Sequence, residues 1–558
     1  MSVTDRKQVP DDPSVAPFRR ANGTPWGSGI VRRLAILRGR AVPDRWSFLL
    51  GAVTTGCLVV LVVTGILLTI FYKPSSSIVR YHGSYPLLRG VEMSEAYAST
   101  LRISFEVTGG LLIRQAHHWA ALLLPAVLLL RLLITFFTGA FRKPRRLQWV
   151  LLFGVFVAAL TAGWSGYALP DDLLAGTGLR IFSGVVIAIP LIGTALSSVI
   201  FGGEFPGTVV ATLYPLHVII APAGLVLLAL LRLRLAHRAG PAQPSGPGRT
   251  EDNVVGLPMV PTMATKWLGM FWITIGLITL NAALVEIAPI WRQGPSSPGA
   301  AGAGSQPDWY TAFLDGALRL VPSGWEVVGF DRTWTLAVIV PLAALAVFFA
   351  AVAGFPLLEQ WLTGDVAEHH LLDRPRDTPA RTALGVAGLL FYGTLWAAGS
   401  ADLIATQFQT SFNAVIQLMQ ITVLAGPMVG FGITYIVCGA LQEREQERLL
   451  DGVESGVIVR LPSGGYVEAH RPVTPRERFV ATSLTSMAPR KARRNHRGKI
   501  TPVERVRVRL SHRYLANTRC QQRVTQAPEV ARTRLGASSD GRSRRALRFG
   551  AGRHAGRG

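Results

Sequence analysis

The chain alternates between long apolar runs and short polar segments along most of its length. A membrane-spanning helix needs about 20 apolar residues, because the hydrocarbon core of a bilayer is about 30 Å thick. Eight runs meet this requirement, at 47–72, 111–138, 147–169, 209–235, 266–290, 334–357, 382–405 and 411–441. The pattern therefore predicts an all-α membrane protein with eight transmembrane helices.

Composition agrees with this prediction, because 49% of the residues are hydrophobic and only 16% are charged. Soluble domains carry about 25% charged residues. The formal net charge of +24 is concentrated near the C-terminus, where residues 489–558 hold 20 Lys and Arg against 3 Asp and Glu. Interleaved aromatic side chains are missing from this basic segment, so we expect contact with anionic membrane lipids and no nucleic-acid partner.

Basic residues in the loops indicate the orientation of the chain in the membrane. They precede the first predicted helix, and they also follow the second, fourth and sixth helices. The residues are Arg32, Arg33, Arg38, Arg40, Arg45, Arg142, Lys143, Arg145, Arg146, Arg234, Arg238, Arg249, Arg374, Arg376 and Arg381. Because loops rich in Lys and Arg stay on the cytoplasmic side, we expect both termini to be cytoplasmic.

The runs and loops divide the chain into four segments. Residues 1–45 form a basic cytoplasmic segment, and residues 46–240 form a bundle of four helices. Residues 241–441 contain four further helices and a long external loop, and residues 442–558 form an Arg-rich cytoplasmic tail. Since the tail shows no sustained apolar period, we expect most of it to be disordered.

Two histidines are the strongest chemical feature of the predicted bundle. His117 and His217 each lie one to two turns inside the external end of an apolar helix. An imidazole in hydrocarbon needs a partner, and a neighbouring carbonyl could satisfy one of them. Two histidines at matching depth on separate helices, with Arg114 nearby to pair a propionate, favour a bis-histidine haem site.

Glycines at matching positions support a flat cofactor. Gly51 and Gly65 lie 14 residues apart on the first helix, so they face nearly the same way roughly 21 Å apart. Gly166 on the third helix matches Gly65 in depth. A macrocycle packed against a helix needs positions without a side chain, although membrane helices also use glycine for ordinary packing.

Several long motifs resemble one known family. They are PDRWSFLLG (43–51), RGVEMSEAYAST (89–100), GGLLIRQAHHWAA (109–121), FFTGAFRKPR (136–145), GYALPDDLLAGTGLR (166–180), FGGEFPGT (201–208), GPGRTEDNVVG (246–256), GSQPDWY (304–310) and LLDRPRDTPARTA (371–383). Between Pro43 and about Pro472 the chain resembles the cytochrome b subunit of actinobacterial cytochrome bc complexes, which are menaquinol–cytochrome c reductases. The tail beyond about residue 475 lies outside this resemblance.

The resemblance implies a multi-pass protein of the bacterial plasma membrane. Its N-terminal four-helix bundle would hold two b-type haems, and His117 and His217 match the ligands of the haem nearer the external face. Quinol would be oxidised near that face, with electrons passing to a Rieske iron–sulfur protein and through haem b, coupled to proton translocation. The implied partners are a Rieske subunit, a cytochrome c subunit, a second copy in a homodimeric complex and a cytochrome c oxidase supercomplex.

A short motif in the long external loop matches the quinol-oxidation site of the family. Pro307, Asp308, Trp309 and Tyr310 correspond to its Pro-Glu-Trp-Tyr motif, with Asp308 in place of Glu. A carboxylate suits this reaction, because quinol oxidation releases protons and a carboxylate can accept one. We therefore predict Asp308 and Tyr310 as catalytic residues and Pro307 and Trp309 as binding residues. The alternative is an interfacial loop, in which Trp and Tyr are common.

The sequence departs from the family at the second haem. That haem needs a histidine 14 residues after His117 and another 15 residues after His217, where this chain has Arg131 and Arg232. A guanidinium group stays protonated and has no free lone pair for iron. Two further family features at this depth, an arginine and a glycine, are replaced by Ile134 and Leu152. We therefore predict that the chain binds the external haem only, or binds the second one very weakly, which gives about one haem b per chain.

Three other functions remain open from the residues. One is a divergent single-haem paralogue that oxidises quinol through an incomplete Q cycle, and another is a catalytically degenerate subunit. The third is a membrane transporter, in which the intramembrane charges would line a substrate path and the protein would bind no haem.

Overall fold

The computed structural model describes residues 39–297, 299, 308–482, 489–494 and 499–516 of the 558 in the chain. Its helices are α1 (Trp46–Phe71), α2 (Glu95–Phe105), α3 (Gly110–Phe137), α4 (Arg146–Ala168), α5 (Leu173–Ile187), α6 (Gly193–Phe201), α7 (Val209–Ala239), α8 (Met259–Leu284), α9 (Ile290–Gln293), α10 (Ala312–Arg319), α11 (Leu336–Thr363), α12 (Pro379–Gly399), α13 (Ala401–Gln407), α14 (Phe412–Asp451), α15 (Pro475–Thr482) and α16 (Pro502–Tyr514). Within the described residues, eight of them are long and apolar enough to span a membrane, namely α1, α3, α4, α7, α8, α11, α12 and α14. The predicted eight helices are confirmed.

Short strands pair within the connecting segments, outside the spanning helices. They are β1 (Ala41–Val42), β2 (Ile78–Arg80), β3 (Glu92–Ser94), β4 (Gln243–Pro244), β5 (Leu257–Pro258), β6 (Glu326–Gly329), β7 (Arg332–Thr335), β8 (Leu371–Leu372), β9 (Val453–Arg460) and β10 (Tyr466–Arg471). Strand β4 pairs with β8 in parallel, whereas β1 with β5, β2 with β3, β6 with β7 and β9 with β10 pair antiparallel. These sheets join loops and leave the membrane part entirely helical.

Helices α1, α3, α4 and α7 form the predicted four-helix bundle. Helix α1 packs against α3, α3 against α4, and α4 against α7, while α8 lies against both α1 and α3. The core of the bundle is lined by buried leucines: Leu124, Leu128, Leu132, Leu152 and Leu225. Large apolar side chains cover the outward face of α1 (Val63, Ile66 and Ile70), as a helix surface in contact with lipid requires.

The ends of the helices opposite His117 and His217 are held by a buried ion-pair cluster. Arg381 is almost fully buried and lies 2.6 Å from Asp373 and 3.3 Å from Glu359. Arg142, in the loop after α3, lies 2.8 Å from the same Asp373. Burial alone would raise the pKa of Asp373, but Arg142 and Arg381 hold it below the ordinary value. The cluster therefore ties the loop after α3 to the start of α12.

We expect Asp373→Asn to lower the free energy of unfolding by about 3–5 kcal/mol, because it leaves two buried guanidinium groups without their shared anion. Since the folded-state pKa of Asp373 is depressed, this contribution is present above the ordinary carboxyl pKa and is lost as the pH falls through the folded value. Thermal unfolding of the solubilised protein at neutral and acidic pH measures both effects. Asp44→Asn is the control, because the exposed Asp44–Lys266 pair should contribute less than about 1 kcal/mol.

The described part of the C-terminal tail, residues 442–482, 489–494 and 499–516, contains helices and a hairpin. Helix α14 continues well past the predicted end at 441, and the β9–β10 hairpin and helix α16 follow it. Helix α16 packs on the end of α11, where the Arg507 guanidinium donates to the carbonyl of Trp361 at 2.6 Å and lies 4.8 Å from its ring centroid. Tyr514 donates to Glu359 at 2.6 Å. Contacts with the membrane domain thus supply order that the tail sequence does not indicate by itself.

Candidate functional site

The structure brings the two predicted haem ligands together inside the bundle. His117 lies two turns into α3 and His217 about two turns into α7, and their ring centroids are 6.0 Å apart with the planes inclined by 69°. A metal–imidazole bond is about 2 Å long. When one iron lies between two imidazoles, the two bonds and the two ring radii together place the ring centroids about 6 Å apart. The pair therefore has the spacing that one axially ligated iron needs.

A stretch of π-helix places His217. Residues Leu216–Ile220 form a π-helical turn within α7, in the sequence YPLHVIIAP. Pro215 and Pro222 lack the amide hydrogen of the regular helical ladder, so the local bonding shifts, and the amide of Ala221 donates to the carbonyl of Leu216. Such bulges frequently occur at functional sites, because they redirect one side chain within a continuous helix.

Hydrogen bonds fix the protonation of both rings. The Nδ1 atom of His117 lies 2.9 Å from the hydroxyl of Thr64, which donates its own hydrogen to Val60. The Nδ1 atom of His217 lies 2.9 Å from the carbonyl of Ala162, which can only accept. Both rings must therefore carry their proton on Nδ1, and each keeps an Nε2 lone pair, which is the donor that haem iron takes.

Two of the predicted glycines lie directly against these rings. A Cβ at Gly65 would stand 3.3 Å from Cε1 of His117, and a Cβ at Gly166 would overlap Cε1 of His217. The role of these glycines is thus to admit the histidine rings themselves. At Gly51 the side chain of Trp267 is the one neighbour within 4 Å, at 3.7 Å. Contact between Gly51 and a haem stays a prediction.

We expect Gly166→Ala to lower the haem content of the purified protein, because its methyl group would occupy the position of the His217 ring. Gly154→Ala on the same helix is the matched control, since its methyl group would meet only Leu228, at an ordinary contact distance of 3.5 Å. Haem absorbance per protein measures both variants. Equal haem content in Gly166→Ala and wild type would show that the His217 ring takes another position.

Arg114 has the free donors that a haem propionate requires. Its Nη1 donates to the carbonyl of Ala288 at 3.0 Å, and the guanidinium lies 5.5 Å from the Trp291 ring centroid. Its Nε and Nη2 are buried and have no hydrogen-bond partner among the residues that the structure describes. Buried guanidinium hydrogens without partners are unfavourable, so this residue is suited to bind an anionic group at the end of the bundle that holds the histidine pair.

The predicted quinol-site motif lies beside the histidine pair. The Asp308 carboxylate accepts from Tyr310 at 2.8 Å and lies 3.1 Å from Nε2 of His118. Tyr310 is almost fully buried, its ring lies against Gly163 of α4, and Trp309 packs edge-on against it. Burial and the Asp308 carboxylate raise the pKa of Tyr310 well above its ordinary value, so it stays a donor. Pro307 lies outside the described residues.

Sequence reasoning missed His118 as a member of this site. Its contact with Asp308 joins residues 190 positions apart, from α3 and from the loop before α10. Consecutive residues on a helix point about 100° apart, so His117 can face its partner while His118 faces the loop. The sequence HH inside an apolar helix was the available signal, because a second imidazole there also needs a polar partner.

The half of the bundle opposite the histidine pair holds no second pair of facing histidines among the described residues. Arg131 and Arg232 lie at the predicted positions of a second haem-ligand pair, and Arg131 donates to the Thr54 hydroxyl at 2.9 Å. Leu152 is almost fully buried, and His237 binds Arg40 at the end of α7. Among the described residues, no group of three or more His, Cys, Asp or Glu side chains could hold a metal ion.

Comparison with known proteins identifies the family. The chain is 43% identical over 478 residues to the cytochrome bc1 complex cytochrome b subunit of Streptomyces coelicolor, covering 85% of this chain and 88% of that protein. The corresponding subunit of Corynebacterium efficiens is 42% identical over 80% of this chain and 82% of its own length. The chain belongs to this cytochrome b family.

Two further comparisons agree with the membership. Residues 122–295 match the family model described as cytochrome b(N-terminal)/b6/petB. A solved structure titled hyperthermophilic respiratory Complex III has the same fold, with a TM-score of 0.52 and 18% identity over 72% of this chain and 98% of that chain. As a cytochrome b, the chain is a multi-pass protein of the bacterial plasma membrane, a haem b protein and a subunit of a respiratory multi-subunit oxidoreductase.

Proposed function

We propose that this cytochrome b oxidises menaquinol near the external face of the membrane, with one electron passing to a Rieske iron–sulfur subunit and the other to one haem b that His117 and His217 would hold. The observation that carries the proposal is the contact between Asp308 and His118. It joins the carboxylate of the quinol-site motif to the residue next to a haem ligand. Proton acceptor and electron acceptor are thereby brought together at one end of the bundle.

The residues of this site can accept and move the protons that quinol oxidation releases. Asp308 receives the first proton from the quinol hydroxyl, because an ionised carboxylate within hydrogen-bond reach is a suitable general base. Nε2 of His118 lies 3.1 Å from the same carboxylate, so the imidazole is placed to share a proton with Asp308. Tyr310 donates to the other carboxylate oxygen and so orients Asp308. Haem supplies one-electron transfer when bound.

The polypeptide around the histidine pair would hold that haem. His117 and His217 supply the axial nitrogens, and Arg114 supplies buried donors for a propionate. Gly65 and Gly166 leave room for the imidazoles. The proposal includes the family's coupling of quinol oxidation to proton translocation, with protons released outside.

The orientation and domain division remain part of this proposal. With the histidine ends of α3 and α7 external, the basic loops after α3 and α7 and both termini are cytoplasmic. Residues 46–240 then form the haem-binding domain and residues 241–441 the domain with the quinol-site loop. The partners we propose are a Rieske subunit, a cytochrome c subunit and a second copy in a homodimeric complex, with a cytochrome c oxidase supercomplex as a further assembly.

A second candidate function is favoured by Arg131 and Arg232. Without ligands for an inner haem, electrons have no second haem on which to cross the bilayer, and the Q cycle would be incomplete. The chain would then act as a single-haem paralogue, with a catalytically degenerate subunit as its limiting case. Quinol:cytochrome c activity that antimycin does not inhibit would favour the single-haem paralogue, whereas full sensitivity would favour a complete cycle.

Reduction of the purified complex by a menaquinol analogue tests the proposal. We expect the haem b absorbance to appear on quinol addition, with cytochrome c reduced when the Rieske and cytochrome c subunits are present. A colourless protein would contradict the proposal and favour a transporter. A haem protein that quinol fails to reduce would favour the degenerate subunit.

A further inference from the structure

Two arginines lie at matching depth in the inner half of the bundle. Arg131 is six residues before the end of α3, and Arg232 is seven residues before the end of α7. At the rise of an α-helix, these separations are about 9–10 Å from the helix ends. His117 and His217 on the same two helices have ring centroids 6.0 Å apart, and Arg131 and Arg232 follow them by 14 and 15 residues, which is about four turns on each helix. Two cations therefore share one region of a low-dielectric interior.

Neither arginine has an anionic partner among the described residues. The one hydrogen bond of the Arg131 guanidinium goes to the neutral hydroxyl of Thr54, which already donates to Leu50. The Nε atom of Arg232 is buried and has no hydrogen-bond partner there. No ion pair of the described residues includes either side chain.

Other arginines of this chain are neutralised by nearby carboxylates. Arg381 contacts Asp373 and Glu359, and Arg319 contacts Asp315 at 2.7 Å and Asp402 at 3.1 Å. The inner pair is different because it has donors and charge but no protein acceptor. It resembles Arg114 at the other end of the bundle, whose buried donors also lack partners.

From this arrangement we propose that Arg131 and Arg232 form a binding site for a phosphate-bearing anion in the inner half of the bundle. Phosphate matches the site because its oxygens accept the paired hydrogens of a guanidinium, and one dianion or two phosphate esters would balance both charges. An anion bound by both arginines would offset their mutual repulsion, because each guanidinium would be attracted to the same ligand. At this depth the chain would bind an anion where the family binds a second haem.

The depth of the pair makes a lipid headgroup one source of this anion. Long arginine side chains near a helix end reach toward the interface, where phospholipid phosphates lie. The exposed Arg238, further along α7, would attract anionic headgroups to the same end. Free phosphate from the aqueous side is the other source of the same chemistry.

The test measures phosphorus per protein in the purified complex after exhaustive detergent exchange. Wild type is compared with Arg131→Gln/Arg232→Gln, and Arg234→Gln is the matched control because Arg234 lies exposed on the same helix. Before that exchange, one sample is incubated in detergent with phosphatidylglycerol and another with inorganic phosphate, so that only the phosphorus held by the protein is counted. Phosphorus is counted per protein, so the result does not depend on how many haems bind.

We expect wild type and Arg234→Gln to retain about one phosphate-bearing anion and the double variant to retain about tenfold less, because a charge-assisted hydrogen bond contributes roughly a factor of ten. Retention in the phosphatidylglycerol arm alone assigns a lipid headgroup, and retention of inorganic phosphate assigns the free anion. Equal retention in the double variant, or none in wild type in either arm, would overturn the proposal. Unchanged haem absorbance confirms that the variants fold, and Arg232→Gln alone serves if the double variant does not assemble.

Discussion

Replacing His217 by alanine is expected to remove haem b from the purified protein. The variant loses one of two axial nitrogens, and since losing even a hydrogen-bond partner of a metal ligand weakens binding 10–100-fold, the loss should exceed about 100-fold. The rest of the bundle should still fold, because the His217 ring contacts Gly166 and does not itself fill the core. The reduced-minus-oxidised absorbance spectrum measures the effect.

His237→Ala is the matched control for this experiment. His237 is also a histidine of α7, but it lies near the helix end and binds Arg40 at 3.1 Å. Its removal should leave the haem spectrum unchanged. If His217→Ala kept its haem while His237→Ala lost it, the axial ligand would lie near the other end of α7.

Asp308→Asn is expected to slow quinol oxidation by about 10²–10⁴-fold, the usual contribution of a general base. The amide has nearly the same shape as the carboxylate and can still accept from Tyr310, so the haem content should not change. The rate of haem reduction after mixing with quinol measures the proton-accepting role separately from haem binding.

Two further variants sharpen this result. Asp308→Glu should retain most of the activity, because glutamate is the residue of the family motif and keeps the charge. Asp331→Asn changes an exposed aspartate in the turn between β6 and β7 and should have no effect. A wild-type rate in Asp308→Asn would remove Asp308 from the reaction, whatever its contact with His118.

The membrane topology could be predicted from the sequence because a spanning helix needs one continuous apolar run. Seven of the eight spanning helices begin within a few residues of their predicted starts. The exception is α8, which begins at Met259, before its predicted start at 266. The end of α14 could not be predicted in this way, because LQEREQERLLD is polar and helical, and hydropathy does not detect a helix outside the membrane. The short helices α2, α5 and α6 were missed for a different reason, because at 11, 15 and 9 residues they are shorter than the run that a membrane span requires.

The candidate site was predictable only in part. The pairing of His117 with His217 could be predicted from their matching depth, since each imidazole in hydrocarbon requires a polar partner. The contact of His118 with Asp308 could not be deduced, because it depends on how a long loop folds back onto α3. Contacts of the tail helix α16 with Trp361 and Glu359 are likewise long-range.

We propose that this cytochrome b keeps one half of a two-haem bundle, the half that holds His117 and His217. His117, His217, Gly65, Gly166 and Arg114 form one coherent site, with free Nε2 atoms and free guanidinium hydrogens. Arg131 and Arg232 offer cations where iron ligands would be needed. The loss of haem ligands is therefore confined to the depth of Arg131 and Arg232 in the bundle.

Haem stoichiometry with redox titration tests this claim most directly. The pyridine haemochrome of the dithionite-reduced protein should give about one haem b per chain. The titration should then follow a single one-electron wave. Two haems b per chain with two waves would contradict the account and would require a ligand pair other than Arg131 and Arg232 in the inner half of the bundle.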